Sequence, residues 1–129
     1  ELQSPINQLE RDQDATGIWR TYVNNALGEH YQELFKRIDC WIMLRAPSFK
    51  QVHQWRLEQE VKLADTLNES DRRNASNIMN KQQIANFIQH YQRITEVLLR
   101  DLPASADHLF QLDEMREIIE YRAQPPNRA

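Results

Sequence analysis

The sequence predicts an α/β fold in which helices predominate and two short strands lie side by side in a parallel sheet. Apolar residues recur at helical spacing in several long segments, most clearly between Ile84 and Leu102. Two short strand candidates are separated by such segments: the apolar run at 40–44, and residues 107–113, which contain Leu109, Phe110 and Leu112. Strands joined by helical crossovers pair in parallel. The length of 129 residues and the hydrophobic share of 40% suit one domain, 1–129, with a single core.

The first 14 residues are polar and are expected to be irregular. We expect a helix to follow them as far as Lys36. Asp12, Asp14 and Thr16 are residue types that cap helices well. The apolar residues of this helix share one face: Ile18, Tyr22, Val23, Ala26, Leu27, Tyr31 and Leu34.

The run from Cys40 to Leu44 is continuously apolar and is followed by Pro47, which is typical of a strand buried on both faces. Ser48 is a good N-cap for a second long helix over 49–67. Residues 68–77 are rich in Asn, Ser, Asp and Arg and predict a loop.

Asn80 and Gln83 have the spacing of a capping box and predict the start of the most strongly patterned helix. Pro103 predicts its end. The second strand is expected within 107–113, and one more helix around 115–121. Two short parallel strands cannot bury both faces or pair both edges. We therefore expect further strands, from a missing N-terminal segment or from another chain.

Composition excludes several classes of function. The net charge is −3 with both signs interspersed, which argues against a nucleic-acid binder. No apolar run is long enough to cross a membrane, and no signal peptide opens the sequence, so we expect a cytoplasmic protein. The one cysteine, Cys40, lies among apolar residues and is expected to be an inert, hydrophobic side chain.

No metal site is expected from the sequence. Four histidines occur, His30, His53, His90 and His108. None is paired with another ligand at i+4, and none has a carboxylate three residues before it. Only two glycines occur, Gly17 and Gly28, and neither lies in a phosphate-binding loop motif. The sequence as given therefore cannot wrap a phosphate in backbone N–H groups.

Arg56, Gln59 and Glu60 lie within one helical turn and form the strongest candidate site. Arginine can bind phosphate through its forked donors, with the other two residues holding it in position. The alternative is an ordinary Arg56–Glu60 ion pair on a solvated helix face. Arg72 and Arg73 are either solvated loop charges or, in a lid, ligands of nucleotide phosphates. Trp55 is either a core aromatic or a base-stacking residue.

Several stretches of the sequence, taken in order, carry a resemblance to a known family. They are Ser4–Asn7 with Trp19–Asn24, Leu44–Phe49 continuing through His53–Glu60, Ile78–Met79 with Phe87–Tyr91, and Ala106–Asp113. Together they resemble the bacterial branch of the D-glycerate 3-kinase-like P-loop kinases, relatives of uridine kinase and phosphoribulokinase. The Gln54-Trp55-Arg56-Leu57 string is the most specific of these matches.

The resemblance implies the C-terminal, lid-bearing part of a P-loop kinase fold, whose N-terminal part would hold ATP and Mg²⁺. Arg56 would be catalytic and would begin the lid, and Gln59, Glu60, Arg72, Arg73 and Asp113 would serve the lid and the nucleotide. Asn7, Tyr22 and Asn24 would approach the acceptor, D-glycerate or a similar hydroxy compound. The 129 residues alone are expected to be inactive.

A second hypothesis makes the chain a helical protein-interaction module without catalytic activity. In that case the apolar stripe from Ile84 to Leu102 would contact a partner helix or a second copy. The kinase hypothesis instead expects ATP and a small-molecule substrate as ligands, with association to the N-terminal segment or formation of a homodimer.

Overall fold

The computed structural model describes residues 4–66 and 79–124. Five α-helices, one 3₁₀-helix and three strands are defined within these residues. The α-helices are α1 (Gln8–Gln13), α2 (Ile18–Glu29), α3 (Gln32–Phe35), α4 (Phe49–Thr66) and α5 (Lys81–Asp101). The strands are β1 (Ile42–Arg45), β2 (His108–Leu112) and β3 (Ile118–Ala123), and the 3₁₀-helix is Leu102–Ala104.

The segment 1–14, expected to be irregular, contains the helix α1. Both α1 and α2 begin at side chains that accept hydrogen bonds from the free amides of the first turn. The Asn7 side chain accepts from Glu10 N at 2.9 Å, which caps α1. The Asp14 carboxylate accepts from Trp19 N and Arg20 N, which caps α2. Gly17 lies between Asp14 and α2 with a φ of 75°, a conformation that glycine adopts without the penalty of a Cβ.

The long helix expected up to Lys36 is divided in two. Ala26 O accepts from both His30 N and Tyr31 N, so the regular spacing of main-chain hydrogen bonds is lost there. The Gln32 side chain also donates to Leu27 O at 3.0 Å, which satisfies a carbonyl at the helix end. The chain consequently turns between α2 and α3.

The two long helices, α4 and α5, agree with the predicted segments. Ser48 Oγ accepts from Gln51 N at 3.2 Å at the start of α4. Asn80 and Gln83 form the complete capping box at the start of α5. Residues 68–77, predicted to be a loop, lie outside the described residues.

The sheet has the strand order β1-β2-β3. β1 and β2 coincide with the two predicted strands and pair in parallel, with Met43 opposite Leu109. Asp107 strengthens this junction because its Oδ2 accepts from Trp41 N at 2.7 Å. β3 pairs antiparallel with β2, with Tyr121 opposite Phe110, so the sheet is mixed. This third strand comes from the chain itself, whereas further strands were expected from a missing segment or from another chain.

The helix expected around 115–121 was wrong, because the chain forms a β-hairpin there. Asp113 Oδ1 accepts from Met115 N at 2.8 Å and from Glu117 N at 2.9 Å. A side chain that bonds main-chain amides in this way favours a turn over a helix. β3 then contains Ile118, Ile119 and Tyr121, which are residue types that favour strands.

One face of the sheet carries the core, and the opposite face of β1 is left bare by the described residues. Met43, Ala106 and Leu109 are buried together, and Leu99 of α5 and Leu102 of the 3₁₀-helix pack against them. On the opposite face of β1, Ile42 and Leu44 are each 64% exposed. The expectation that this strand is buried on both faces was therefore wrong for the described residues. Cys40, expected to be buried among apolar neighbours, is exposed because it precedes β1 and lies outside this core.

Candidate functional site

A cleft of about 470 Å³ lies between α4 and the turn that joins β2 to β3. Its position follows from the fold, because α4 leaves the end of β1 and the turn leaves the end of β2, the parallel neighbour of β1. Crevices at the carboxyl ends of parallel strands are common ligand sites. The cleft is lined by Val52, Trp55, Arg56, Gln59, Lys62 and Arg116.

Arg56 is held at the cleft by two residues of its own helix. Its Nη1 donates to Gln59 Oε1 at 2.9 Å, and its Nη2 forms an ion pair with Glu60 Oε1. The guanidinium carbon also lies 6.0 Å from the centre of the Phe87 ring on α5. The sequence-predicted trio of Arg56, Gln59 and Glu60 is therefore brought together.

Glu60 is not on a solvated face, contrary to the simpler of the two readings of the Arg56–Glu60 spacing. Its side chain is 4% exposed, and its Oε2 accepts from Met79 N at 3.2 Å. One carboxylate thus joins α4 to the segment that enters α5 and fixes one end of the Arg56 guanidinium. A buried, fully partnered carboxylate is a stronger positioning group than an exposed one.

Trp55 also lines the cleft and contacts the β2–β3 turn. Its indole N–H donates to the Glu114 main-chain oxygen at 2.9 Å. The Gln51 side chain donates to the same oxygen at 3.2 Å. Gln51 and Trp55 are one turn apart on α4, so one face of that helix is fastened to the tip of the hairpin.

Two cations and one carboxylate surround this contact. Arg116 lies with its guanidinium carbon 5.3 Å from the centre of the Trp55 ring and forms an ion pair with Glu58. Lys62 Nζ is 2.9 Å from the other Glu58 oxygen. The hydrogen bond from Lys62, together with the charge of Arg116, lowers the pKa of Glu58. Glu58 is consequently an anion at neutral pH, shared by two cations.

Asp113, expected to serve the nucleotide, lies at the start of this turn. Its Oδ1 accepts hydrogen bonds from the Met115 and Glu117 amides. In this structure Asp113 therefore shapes the turn. Arg72 and Arg73 lie outside the described residues.

Of the three expected substrate-binding residues, one is buried and two are exposed. Asn7 is buried, and its side-chain amide donates to Gln89 O and to Gln92 Oε1. Tyr22 and Asn24 are exposed on α2, and the Tyr22 ring contacts Trp19 edge to face. Asn7 therefore holds α1 against α5, whereas Tyr22 and Asn24 are accessible.

Sequence reasoning did not identify Glu58, Lys62 and Arg116 as part of the site. The Glu58–Lys62 spacing of four residues is a detectable ion-pair signal on a helix. Arg116 could not be placed because the segment around it was expected to be helical. Within 4–66 and 79–124, no cluster of three His, Cys, Asp or Glu side chains could hold a metal ion. None of the helices in those ranges is long and apolar enough to span a membrane.

Comparison with known proteins assigns no family: no family model, curated protein or solved structure matches the chain.

Proposed function

We propose that the chain is the lid-bearing C-terminal part of a cytoplasmic, ATP-dependent kinase that phosphorylates D-glycerate or a similar small hydroxy compound. The observation that carries the proposal is the fixed position of Arg56 at the cleft, between Gln59 and the buried Glu60. It agrees with the role that the resemblance in the Gln54-Trp55-Arg56-Leu57 string implies for this arginine.

Phosphoryl transfer depends mainly on positioning and on stabilising the negative charge of the transferring group. A guanidinium has five N–H donors, and the contacts to Gln59 and Glu60 do not use all of them. Arg56 would direct the remaining donors at the transferring phosphoryl group. Because Glu60 is buried and held by Met79 N, little reorganisation would be needed at the moment of reaction.

The residues of the cleft fit the phosphate end of a nucleotide. Arg56, Lys62 and Arg116 provide positive charge, and Trp55 provides a flat apolar surface. On this proposal, Mg²⁺ and most of the ATP phosphate contacts would belong to an N-terminal part with a glycine-rich loop. Mg²⁺ would then offset the charge of the phosphate oxygens. Tyr22 and Asn24, exposed on α2, are the residues that remain candidates for the acceptor.

The bare face of the sheet also favours a chain that packs against another structural unit. Parallel strands are normally covered on both faces, yet Ile42 and Leu44 are exposed and β1 is an edge strand of the described sheet. An N-terminal part that adds strands beside β1 and helices over this face would bury both residues.

The test uses a protein that joins this chain to an N-terminal part containing a phosphate-binding loop. We expect Arg56→Ala to lower kcat for ATP-dependent phosphorylation of D-glycerate by at least about tenfold. Gln54→Ala, an exposed substitution on the same helix, is the matched control. A loss of less than about twofold in Arg56→Ala would refute the catalytic role. Turnover by the 129 residues alone would refute the assignment as an incomplete kinase.

The second candidate function, a helical interaction module, is favoured by a different observation. Phe87, Tyr91, Ile94 and Leu98 form an exposed apolar line along α5, while Ile84 and Ile88 are buried. A concentration-dependent dimer that does not bind nucleotide, measured by light scattering and by calorimetry with ATP, would favour the module. Binding of ATP by the joined protein would favour the kinase.

A further inference from the structure

Arg116 has a backbone conformation that is unusual for its residue type. It is the last of three residues in the turn between Asp113 and Glu117, with a φ of 68°. Three-residue hairpin turns commonly place a left-handed residue at this point, and glycine adopts that conformation at the least cost. An arginine there carries a conformational penalty that its side-chain contacts must offset.

The side chain of Arg116 makes contacts that could offset this penalty. The guanidinium lies over the Trp55 ring and forms an ion pair with Glu58. Both partners are on α4, three residues apart, so they present one surface to the turn. Cation–π and ion-pair contacts of this kind are individually weak when exposed, which makes the attachment reversible.

A second attachment lies on the other side of the turn tip. Glu114 O accepts from the Trp55 indole and from the Gln51 side chain. Trp55 therefore participates in both attachments, through its ring face and through its N–H group. Release of Arg116 would leave the neutral hydrogen bonds of the Glu114 oxygen to hold the turn against α4.

We propose that Arg116 is a latch that fastens the β2–β3 turn to α4 and sets the width of the cleft beside Arg56. In the closed state the Arg116 guanidinium covers the Trp55 ring and is held by Glu58. In the open state the ion pair is broken, the turn moves away and the indole face is uncovered. The latch opens locally, without unfolding of the sheet or of α4. This inference does not depend on the kinase proposal.

Glu58 is the part of the latch that responds to solution conditions. Its carboxylate is shared by Arg116 and Lys62, and all three side chains are substantially exposed. Mobile ions screen exposed pairs of this kind. Added salt therefore weakens the closed state, while the buried contacts of the core are little affected.

The experiment measures hydrogen exchange of the Trp55 indole N–H by NMR in the 129-residue chain. The Trp55 signal is assigned by its loss in Trp55→Phe. Arg116→Gly removes the latch side chain and keeps a residue that accepts the turn conformation. Glu58→Gln breaks the same ion pair from the other side by removing the charge of the carboxylate. Glu117→Gln, which removes a charge from the same turn, is the control.

We expect indole exchange to increase by at least about threefold in Arg116→Gly and in Glu58→Gln, with the thermal midpoint unchanged. Glu117→Gln should exchange like the wild type. Raising NaCl from about 20 mM to about 0.5 M should accelerate exchange in the wild type but not in Arg116→Gly.

Three results would overturn the proposal. Unchanged indole exchange in both latch variants would mean that Arg116 does not hold the turn. If the thermal midpoint falls enough to account for the faster exchange, the Arg116 contact stabilises the whole fold and is not a separate latch. An equal rise of indole exchange in Glu117→Gln would mean that removing any charge from the turn has the same effect.

Discussion

The carboxylate of Glu10 accepts two hydrogen bonds from the guanidinium of Arg93, although 83 positions separate the two residues. The distances are 2.9 Å from Nε and 2.6 Å from Nη2. Arg20 Nη1 lies 3.7 Å from the same carboxylate, and Ile6 N donates to it at 2.9 Å. One buried carboxylate therefore joins α1, α2 and α5 in a single charged cluster.

We expect Glu10→Gln to lower the free energy of unfolding by about 3 kcal/mol, since the substitution removes the anion of a largely buried ion pair with Arg93. Urea unfolding followed by circular dichroism measures the loss. Glu29→Gln removes the same charge from an exposed position at the end of α2 and should change stability by less than about 0.5 kcal/mol. Equal losses in the two variants would mean that the cluster contributes no stability of its own.

The same carboxylate predicts a dependence of stability on pH. The hydrogen bond from Arg93 is the main cause of a lowered pKa at Glu10, below its ordinary value of 4.5. A carboxyl whose pKa is lower in the folded state stabilises the fold above its unfolded pKa, and this contribution disappears as pH falls through the folded-state pKa. The difference in unfolding free energy between wild type and Glu10→Gln should therefore be constant above about pH 5 and shrink below it. A difference that is unchanged between pH 6 and pH 3 would contradict this assignment.

The elements that sequence predicted well are those specified by local chemistry. Asn80 and Gln83 specify the start of α5 by hydrogen bonds within four residues. Ser48 does the same for α4. The parallel pairing of β1 and β2 followed from the helical segments between them, because a parallel connection needs a crossover.

The elements that sequence predicted poorly depend on competition between local signals or on distant partners. The hydrogen bonds of the Asp113 side chain favour a turn more strongly than the apolar spacing around Met115 favours a helix, so the segment forms a β-hairpin. The apolar residues of α2 were recognised, but Ile18 and Tyr22 are mostly exposed. Periodicity identifies an apolar face without specifying which element, if any, will cover it.

The candidate site likewise has features that local spacing predicts and features that depend on distant residues. Arg56, Gln59 and Glu60 could be grouped from spacing because they lie on one helical turn. The burial of Glu60 could not, because it depends on Met79 at the entry to α5. Asn7 was expected near a substrate, yet it contacts Gln89, 82 positions away, and no local pattern indicates such a partner.

Glu60→Gln tests whether the buried carboxylate holds the site together. The substitution keeps the shape of the side chain and removes the charge that pairs with Arg56. We expect a loss of about 2 kcal/mol in the free energy of unfolding, typical of hydrogen bonds to charged groups. Glu120→Gln, on the exposed strand β3, should change stability by less than about 0.5 kcal/mol. Chemical denaturation of both variants measures the difference, and a loss no larger than the control would show that Arg56 is positioned without Glu60.

Met43 and Leu44 are neighbours on β1 that point to opposite faces of the sheet, with exposures of 7% and 64%. Met43→Ala should cost about 3 kcal/mol because it opens a cavity beside Ala106 and Leu109. Leu44→Ala should cost less than about 1 kcal/mol, because its side chain is already mostly in contact with solvent. Thermal unfolding at two protein concentrations compares the variants. A large and concentration-dependent loss of stability in Leu44→Ala would mean that a second copy covers the bare face in solution. That result would favour the interaction-module hypothesis and weaken the argument that an N-terminal part covers this face.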